Sequence, residues 1–273
     1  MDHLKEVKYM NERIRGKIVT ITGASGGLGE QIARQAAKSG ARLVLIARSL
    51  DKLEKIQTEL MTEYNADVYV YTMDVSDRKA VEQTFDRIKI EVGDTDVLVN
   101  NAGFGIFEKV VDAKLDDAES MINTNVVGLI ACTKMVLPAM VANKSGHIIN
   151  IASQAGKMAT PKSSVYSATK HAVLGFTNAL RMEMHTENVF VTSVNPGPIK
   201  TNFFNIADKE GTYIKNIERL MIDPIKLAEK ITNVMLKNKR EINAPGWMNA
   251  GSKIYSLIPR TVETLGRSQF NKK

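Results

Sequence analysis

Tyr166 and Lys170 stand four positions apart in the stretch SSVYSATKHAV, and Ser153 precedes the tyrosine by thirteen. A phenol, an ammonium and a hydroxyl are what carbonyl reduction needs on the oxygen side, where a proton must arrive as a hydride reaches carbon. A free tyrosine keeps its proton to about pH 10. A neighbouring ammonium stabilises the phenolate and lowers that value, so the proton is given and regained more easily. The serine hydroxyl would bond the carbonyl oxygen and position it. If 164–186 is a helix, the four-residue spacing puts Tyr166 and Lys170 on one face, a turn apart. Ordinary helix surfaces show the same spacing, so the surrounding elements have to decide.

Those elements alternate. The runs 17–22, 42–47, 67–73, 96–100, 147–152, 189–194 and 241–245 are rich in Val and Ile with little polar alternation, as in strands buried on both faces. Helix-length segments lie between them at 27–39, 50–64, 77–91, 118–142, 164–186 and 224–237, the last opened by Asp223 as N-cap and Pro224. The pattern predicts one α/β domain: a doubly wound parallel sheet of about seven strands with helices on both faces. A charged extension, 1–15, precedes the domain at 16–245, and a second extension, 246–273, follows it. Ser153 then falls at a strand's C-terminal end, the edge where such sheets bind ligands.

At that same edge the first strand runs into TGASGGLGEQ. Glycine lets a backbone approach phosphate closely, and a helix N-terminus offers free N–H groups and a positive dipole end. This turn, with Gly23, Ser25, Gly26, Gly27, Leu28 and Gly29, is a candidate dinucleotide cradle. The second strand ends in Ala47 and Arg48 with no carboxylate to hold a ribose 2′-hydroxyl. Arg48 can pair with a 2′-phosphate and Ser49 can add a hydrogen bond, which favours NADP(H). Asp51 belongs to the start of the next helix.

The spacing T-G-x-x-x-G-x-G, with NNAG after the fourth strand, the Y-x-x-x-K pair and P-G-x-x-x-T, resembles the short-chain dehydrogenase/reductase family over about 15–245. The resemblance implies a Rossmann-type fold and an NADP-dependent carbonyl reductase or alcohol dehydrogenase. It implies that Asp74 and Val75 lie against the adenine. Asn101, Ala102 and Gly103 would pass close to the cofactor ribose. Pro196, Gly197 and Thr201 would flank the nicotinamide carboxamide, with backbone contacts from Ile199. Lys170 would hold the ribose hydroxyls as well as tune Tyr166, and Asn125 would retain a water relaying protons from Lys170. It also implies a mobile substrate lid at 199–222 and a homodimer or homotetramer built on the long helices. The apolar content of the lid (Phe203, Phe204, Ile206, Tyr213, Ile214, Ile217, Leu220) hints at an apolar, acyl-like or bulky ketone, or serves only to pack the lid. The rival reading is a non-catalytic NADP(H)-sensing regulator, against which the complete Ser–Tyr–Lys set argues.

Composition excludes other classes. A single cysteine, Cys132, forbids an internal disulfide framework and fits a reduced compartment. The charged N-terminus lacks a signal-peptide core and no apolar run reaches membrane-span length, so a cytoplasmic protein is expected. The net charge of +7 is spread along the chain without a nucleic-acid motif. His3, His147, His171 and His185 form no ligand spacing, so no metal is expected. The tail 246–273 mixes Trp247, Ile254 and Leu257 with basic residues. Packing on the lid or on a partner subunit is the expected outcome, and resting on an anionic membrane the alternative.

Overall fold

The computed structural model describes residues 11–208 and 220–270. Seven strands alternate with helices: β1 (Ile18–Thr22), α1 (Gly27–Lys38), β2 (Arg42–Ala47), α2 (Leu50–Tyr64), β3 (Val68–Thr72), α3 (Arg78–Glu91) and β4 (Val97–Asn100). There follow α4 (Leu115–Ile122), α5 (Leu129–Ala142), β5 (Gly146–Ile151), α6 (Ser164–Glu183) and β6 (Val189–Pro196). The chain continues through α7 (Phe203–Ala207), α8 (Pro224–Thr232), β7 (Glu241–Ala244), α9 (Gly246–Leu257) and α10 (Pro259–Phe270).

All pairings are parallel, in the order β3-β2-β1-β4-β5-β6-β7. The chain reverses its winding between β1 and β4, which opens a crevice at the strands' C-terminal ends. Strand side chains alternate between two cores. Leu43 and Leu45 of β2 pack with Ile32 of α1 and Ile231 of α8, while Val44 and Ile46 pack with Phe85 of α3 and Val136 of α5. Continuous Val/Ile/Leu runs are what a sheet covered on both faces needs.

The helix of 118–142 is longer than the sequence suggests. α4 and α5 run on from Leu115 through a π-helical turn at Asn123–Gly128. The resulting Leu115–Ala142 helix is long and apolar enough to cross a membrane by length and composition, which corrects the reading that no segment is. Leu129, Cys132, Val136 and Met140 are buried in the protein, so the helix serves the core of this fold. Burial pushes the Cys132 thiol up to about 12, which keeps it from reacting as a thiolate.

α8 closes at Thr232 rather than 237. Beyond it Leu236 takes a left-handed conformation and donates its N–H to Nδ1 of His147 at 3.0 Å. That fixes the His147 proton on Nε2, 2.8 Å from Thr192 Oγ1. Burial pushes His147 down to about 3, so it is a neutral structural bridge. Asp223 caps α8 as the sequence indicates, accepting from Ile225 N at 2.9 Å. Asn11 and Arg13 donate to the carbonyls of Thr232 and Asn233, and Ile14 is fully buried, so residues 11–15 pack onto the domain. Pro259 opens α10 directly after α9.

Candidate active site

Gly23 sits at φ +67°, which side chains rarely adopt, and a Cβ there would fall 2.8 Å from Ala102 Cα. A Cβ on Gly29 would lie 2.4 Å from Gly23 O. The turn is therefore folded tightly on itself, and no side chain caps the first turn of α1. Asn101 closes it from the neighbouring strand, donating from Nδ2 to the carbonyls of Thr22 and Gly23 at 3.0 and 3.1 Å. Beneath, Asn100 donates to Thr133 Oγ1 and Asn150 Oδ1, and Asn150 donates to Thr177 Oγ1, each at 2.9 Å. This buried chain ties α5, β4, β5 and α6 into one rigid floor.

A cleft of about 580 Å³ opens over that floor. Its wall contains Gly23, Ser25, Gly26, Gly27 and Leu28 from the glycine turn, and Asn101, Ala102 and Gly103 from the end of β4. Ser153, Tyr166 and Lys170 stand on the opposite side, with Pro196, Gly197, Ile199 and Thr201 after β6. Thr201 faces the turn directly, since a Cβ on Gly27 would meet its side chain at 3.4 Å. The glycine turn and the proposed chemistry thus share one space.

Lys170 Nζ is buried and donates to Ile151 O at 2.9 Å. It lies 5.8 Å from the centroid of the Tyr166 ring, as expected for neighbours one turn apart. Among the described residues no carboxylate pairs with it, and burial pushes it down to about 8. Ser153 accepts from Ala155 N at 3.0 Å and holds a longer bond, 3.4 Å, to Pro196 O. That weak bond is one a substrate oxygen can displace.

Asn125, within the π turn, lies outside the cleft wall. Its Oδ1 accepts from Phe104 N at 3.0 Å, and its Nδ2 donates to Phe104 O at 2.8 Å and Thr169 Oγ1 at 3.1 Å. The side chain ties the loop after β4 to Thr169 of α6. Gly29, Arg48, Ser49, Asp74 and Val75 also lie off the cleft wall. Arg48 is exposed, with Nη1 3.8 Å from Asp74 Oδ2. Burial alone would raise Asp74, but two hydrogen bonds from Ser76 and the Arg48 charge hold it below the usual carboxylate value. Asp77 caps α3, accepting from the N–H groups of Lys79 and Ala80. Ser49 precedes α2 without a side-chain cap bond.

Several wall residues are not marked by any pattern in the sequence. Lys52, on the first turn of α2, lines the cleft beside the glycine turn. Its only sequence signal is a basic residue one helical turn beyond Arg48. Phe104 and Phe107 join Phe203 and Phe204 around the other end, Phe107 meeting the Tyr166 ring edge-on at 5.6 Å and Phe203 lying 5.8 Å from it. Lys157 Nζ bonds Glu241, Asn243 and Asn249 at 2.7–2.9 Å, which pins α9 beside the Ser153 turn. Of the lid, α7, Leu220 and the Ile199–Ile222 bridge are in place, whereas Tyr213, Ile214 and Ile217 lie outside the described residues. Among the described residues no group of His, Cys, Asp and Glu could hold a metal ion.

Known proteins share this arrangement. Residues 17–211 match the family model described as short chain dehydrogenase. The NADP-dependent 3-hydroxy acid dehydrogenase of Schizosaccharomyces pombe is 36% identical over 239 residues, which are 85% of this chain and 92% of that protein. The closed form of serine dehydrogenase complexed with NADP+ is 34% identical with a TM-score of 0.76, covering 83% of this chain and 93% of the other. Alcohol dehydrogenase from the archaeon Thermococcus sibiricus, complexed with 5-hydroxy-NADP, is 30% identical with a TM-score of 0.74, covering 83% and 94%. With the parallel sheet, the glycine turn and the Ser–Tyr–Lys set facing one cleft, the chain belongs to the short chain dehydrogenase family.

Proposed function

We propose that this chain is an NADPH-dependent carbonyl reductase, reversible as an alcohol dehydrogenase, whose substrate is an apolar ketone or secondary alcohol. The observation that carries the reading is the single cleft, lined at one end by a phosphate-sized glycine cradle and at the other by Ser153, Tyr166 and Lys170. The cradle fits a dinucleotide because the uncapped first turn of α1 opens into the cleft at Gly26 and Gly27, where no side chain intervenes. When bound, the dihydronicotinamide supplies the hydride. Ser153 then bonds the carbonyl oxygen, and Tyr166 donates its phenolic proton to that oxygen as charge develops on it. Lys170, cationic below its value of about 8, holds the resulting phenolate. In the alcohol-oxidising direction the phenolate takes the proton back.

The preference for NADPH rests on two cations and a missing acid. Arg48 stands exposed after β2, Lys52 lines the cleft, and no carboxylate ends that strand. S. pombe and Thermococcus relatives whose names carry NADP support the assignment. Replacing both cations, Arg48→Ala with Lys52→Ala, is expected to weaken NADPH binding at least about 100-fold, on charge-assisted bonds worth about 1.5–3 kcal/mol each. NADH binding, measured by the same fluorescence titration, should change little. Equal weakening of both cofactors would mean that these residues hold something other than the 2′-phosphate.

The preference for an apolar ketone rests on Phe104, Phe107, Phe203 and Phe204 around the reacting end. Lys52 and Lys170 are the cations that line the cleft among the described residues, and neither belongs to that end's aromatic wall. The 3-hydroxy acid named for the S. pombe relative carries a carboxylate that such a wall does not pair. The test is NADPH oxidation by the purified protein against aryl-alkyl and medium-chain ketones and against 3-oxo acids of equal length. The ketones should show kcat/KM about tenfold or more higher, the value of roughly one unpaired buried polar group. A preference for the acids would move the substrate toward that of the relative, and inactivity on every carbonyl would favour a regulator that only binds NADPH. We also read the chain as a homo-oligomer, supported by exposed apolar side chains at Leu115, Ile122 and Met182 on the α4–α5 and α6 helices.

A further inference from the structure

We infer that the outer face of α9 docks on an anionic lipid bilayer. In a surface helix the apolar side turns to the core and the polar side to water. α9 is inverted. Trp247, Ile254 and Leu257 are 61%, 51% and 81% exposed. At 3.6 residues per turn these three, with Ala250, fall within about 80° of the helix circumference. The inward side is held by polar contacts beside Met248: Ser252 is buried and Asn249 accepts from Lys157. Because Lys157 is anchored on Glu241 and Asn243 of β7 and holds Asn249, α9 cannot rotate to hide the tryptophan without breaking the Lys157–Asn249 bond. The apolar surface continues past the helix at Ile258 and Leu265, both exposed.

Charge selects the occupant. Between 246 and 273 the sequence holds Lys253, Arg260, Arg267, Lys272 and Lys273 against one acid, Glu263, which is engaged by the Tyr255 hydroxyl at 3.0 Å. A second copy of this chain on the same face would meet it through a two-fold axis and bring one basic segment against another of the same net sign. An anionic headgroup layer complements those charges while its acyl region takes the apolar arc. Met248, next to Trp247, lines the cleft, as do the half-exposed Ile206 and Leu220. A bilayer on this face therefore lies beside the cleft mouth.

Trp247 is the chain's one tryptophan, so its emission reports the face directly. The full chain is mixed with vesicles of phosphatidylcholine and phosphatidylglycerol, and with phosphatidylcholine alone. The expected result is a blue shift and co-sedimentation with the mixed vesicles only, both reversed by salt. Lys253→Glu with Arg260→Glu, two exposed positions, should lower partitioning at least about tenfold with an unchanged circular dichroism spectrum. Absence of both signals with the mixed vesicles would overturn the inference, as would equal binding to the neutral ones. So would a lipid-independent blue shift that grows with protein concentration and disappears in Ile254→Ser with Leu257→Ser, which would mean that a second copy covers the face.

Discussion

Replacing Tyr166 by Phe is expected to lower turnover by about 10²–10⁴-fold, the contribution of a positioned proton donor, while NADPH affinity stays within a few-fold of wild type. The substitution removes one hydroxyl and keeps the ring. The ring's packing is what the structure depends on: Phe107 meets it edge-on at 5.6 Å, Phe203 lies 5.8 Å away, and Lys170 sits over it. Lys170 keeps its bond to Ile151 O, so the floor under the cofactor is untouched. Single-turnover ketone reduction beside a cofactor fluorescence titration separates the two effects. Turnover above about a tenth of wild type would remove Tyr166 from the proton path, because even the low end of general acid catalysis exceeds that factor. Ser153→Ala offers the contrast: it should raise KM and lower kcat together, since the hydroxyl positions the oxygen but gives it no proton.

Why the tyrosine was legible in the sequence while its surroundings were not follows from distance along the chain. Tyr166 and Lys170 are local neighbours on a helix, and the glycine turn is a local event at a strand's end, so their spacing alone carries their geometry. The strands were legible because a sheet covered on both sides demands unbroken apolar runs. Lys52, Phe104 and Thr169 reach the site only through tertiary packing, and no spacing announces them. Asn125 shows the limit of a matched pattern. Its place in the helix was readable, whereas its bonds to Phe104 and Thr169, more than twenty residues away in either direction, were not. The helix break after Thr232 was equally hidden, because it depends on a bond from Leu236 to a histidine on β5. In α9 the residue types announce amphipathicity, but only the fold shows that the apolar side faces outward.

Lys170→Met is expected to do two opposite things. At pH 7 it should lower ketone reduction about 10²-fold or more, because the phenolate loses its charge partner. In the same sample it should raise the stability of the cofactor-free protein. Burial holds Lys170 at about 8 in the folded state against 10.5 for the free side chain. Folding at neutral pH therefore confines an ammonium that prefers water, at a cost of about 3 kcal/mol. Methionine removes that cost and leaves Ile151 O without its donor, a loss of about 1–2 kcal/mol, so the net gain is about 1–2 kcal/mol. The sign is testable by pH. Between about 8 and 10.5 the unfolded chain holds the lysine proton and the folded chain has released it, so wild-type stability should rise relative to the variant across that window and stay level below it. Urea unfolding of both proteins at pH 7 and pH 10 reads this directly. Activity should run the other way: wild-type ketone reduction falls as pH rises through about 8, where Lys170 loses the charge that holds the phenolate. If reduction stays flat to pH 9.5 while the stability difference appears as expected, the buried amine serves the cofactor at the expense of the fold, and the proton chemistry belongs to Tyr166 without it.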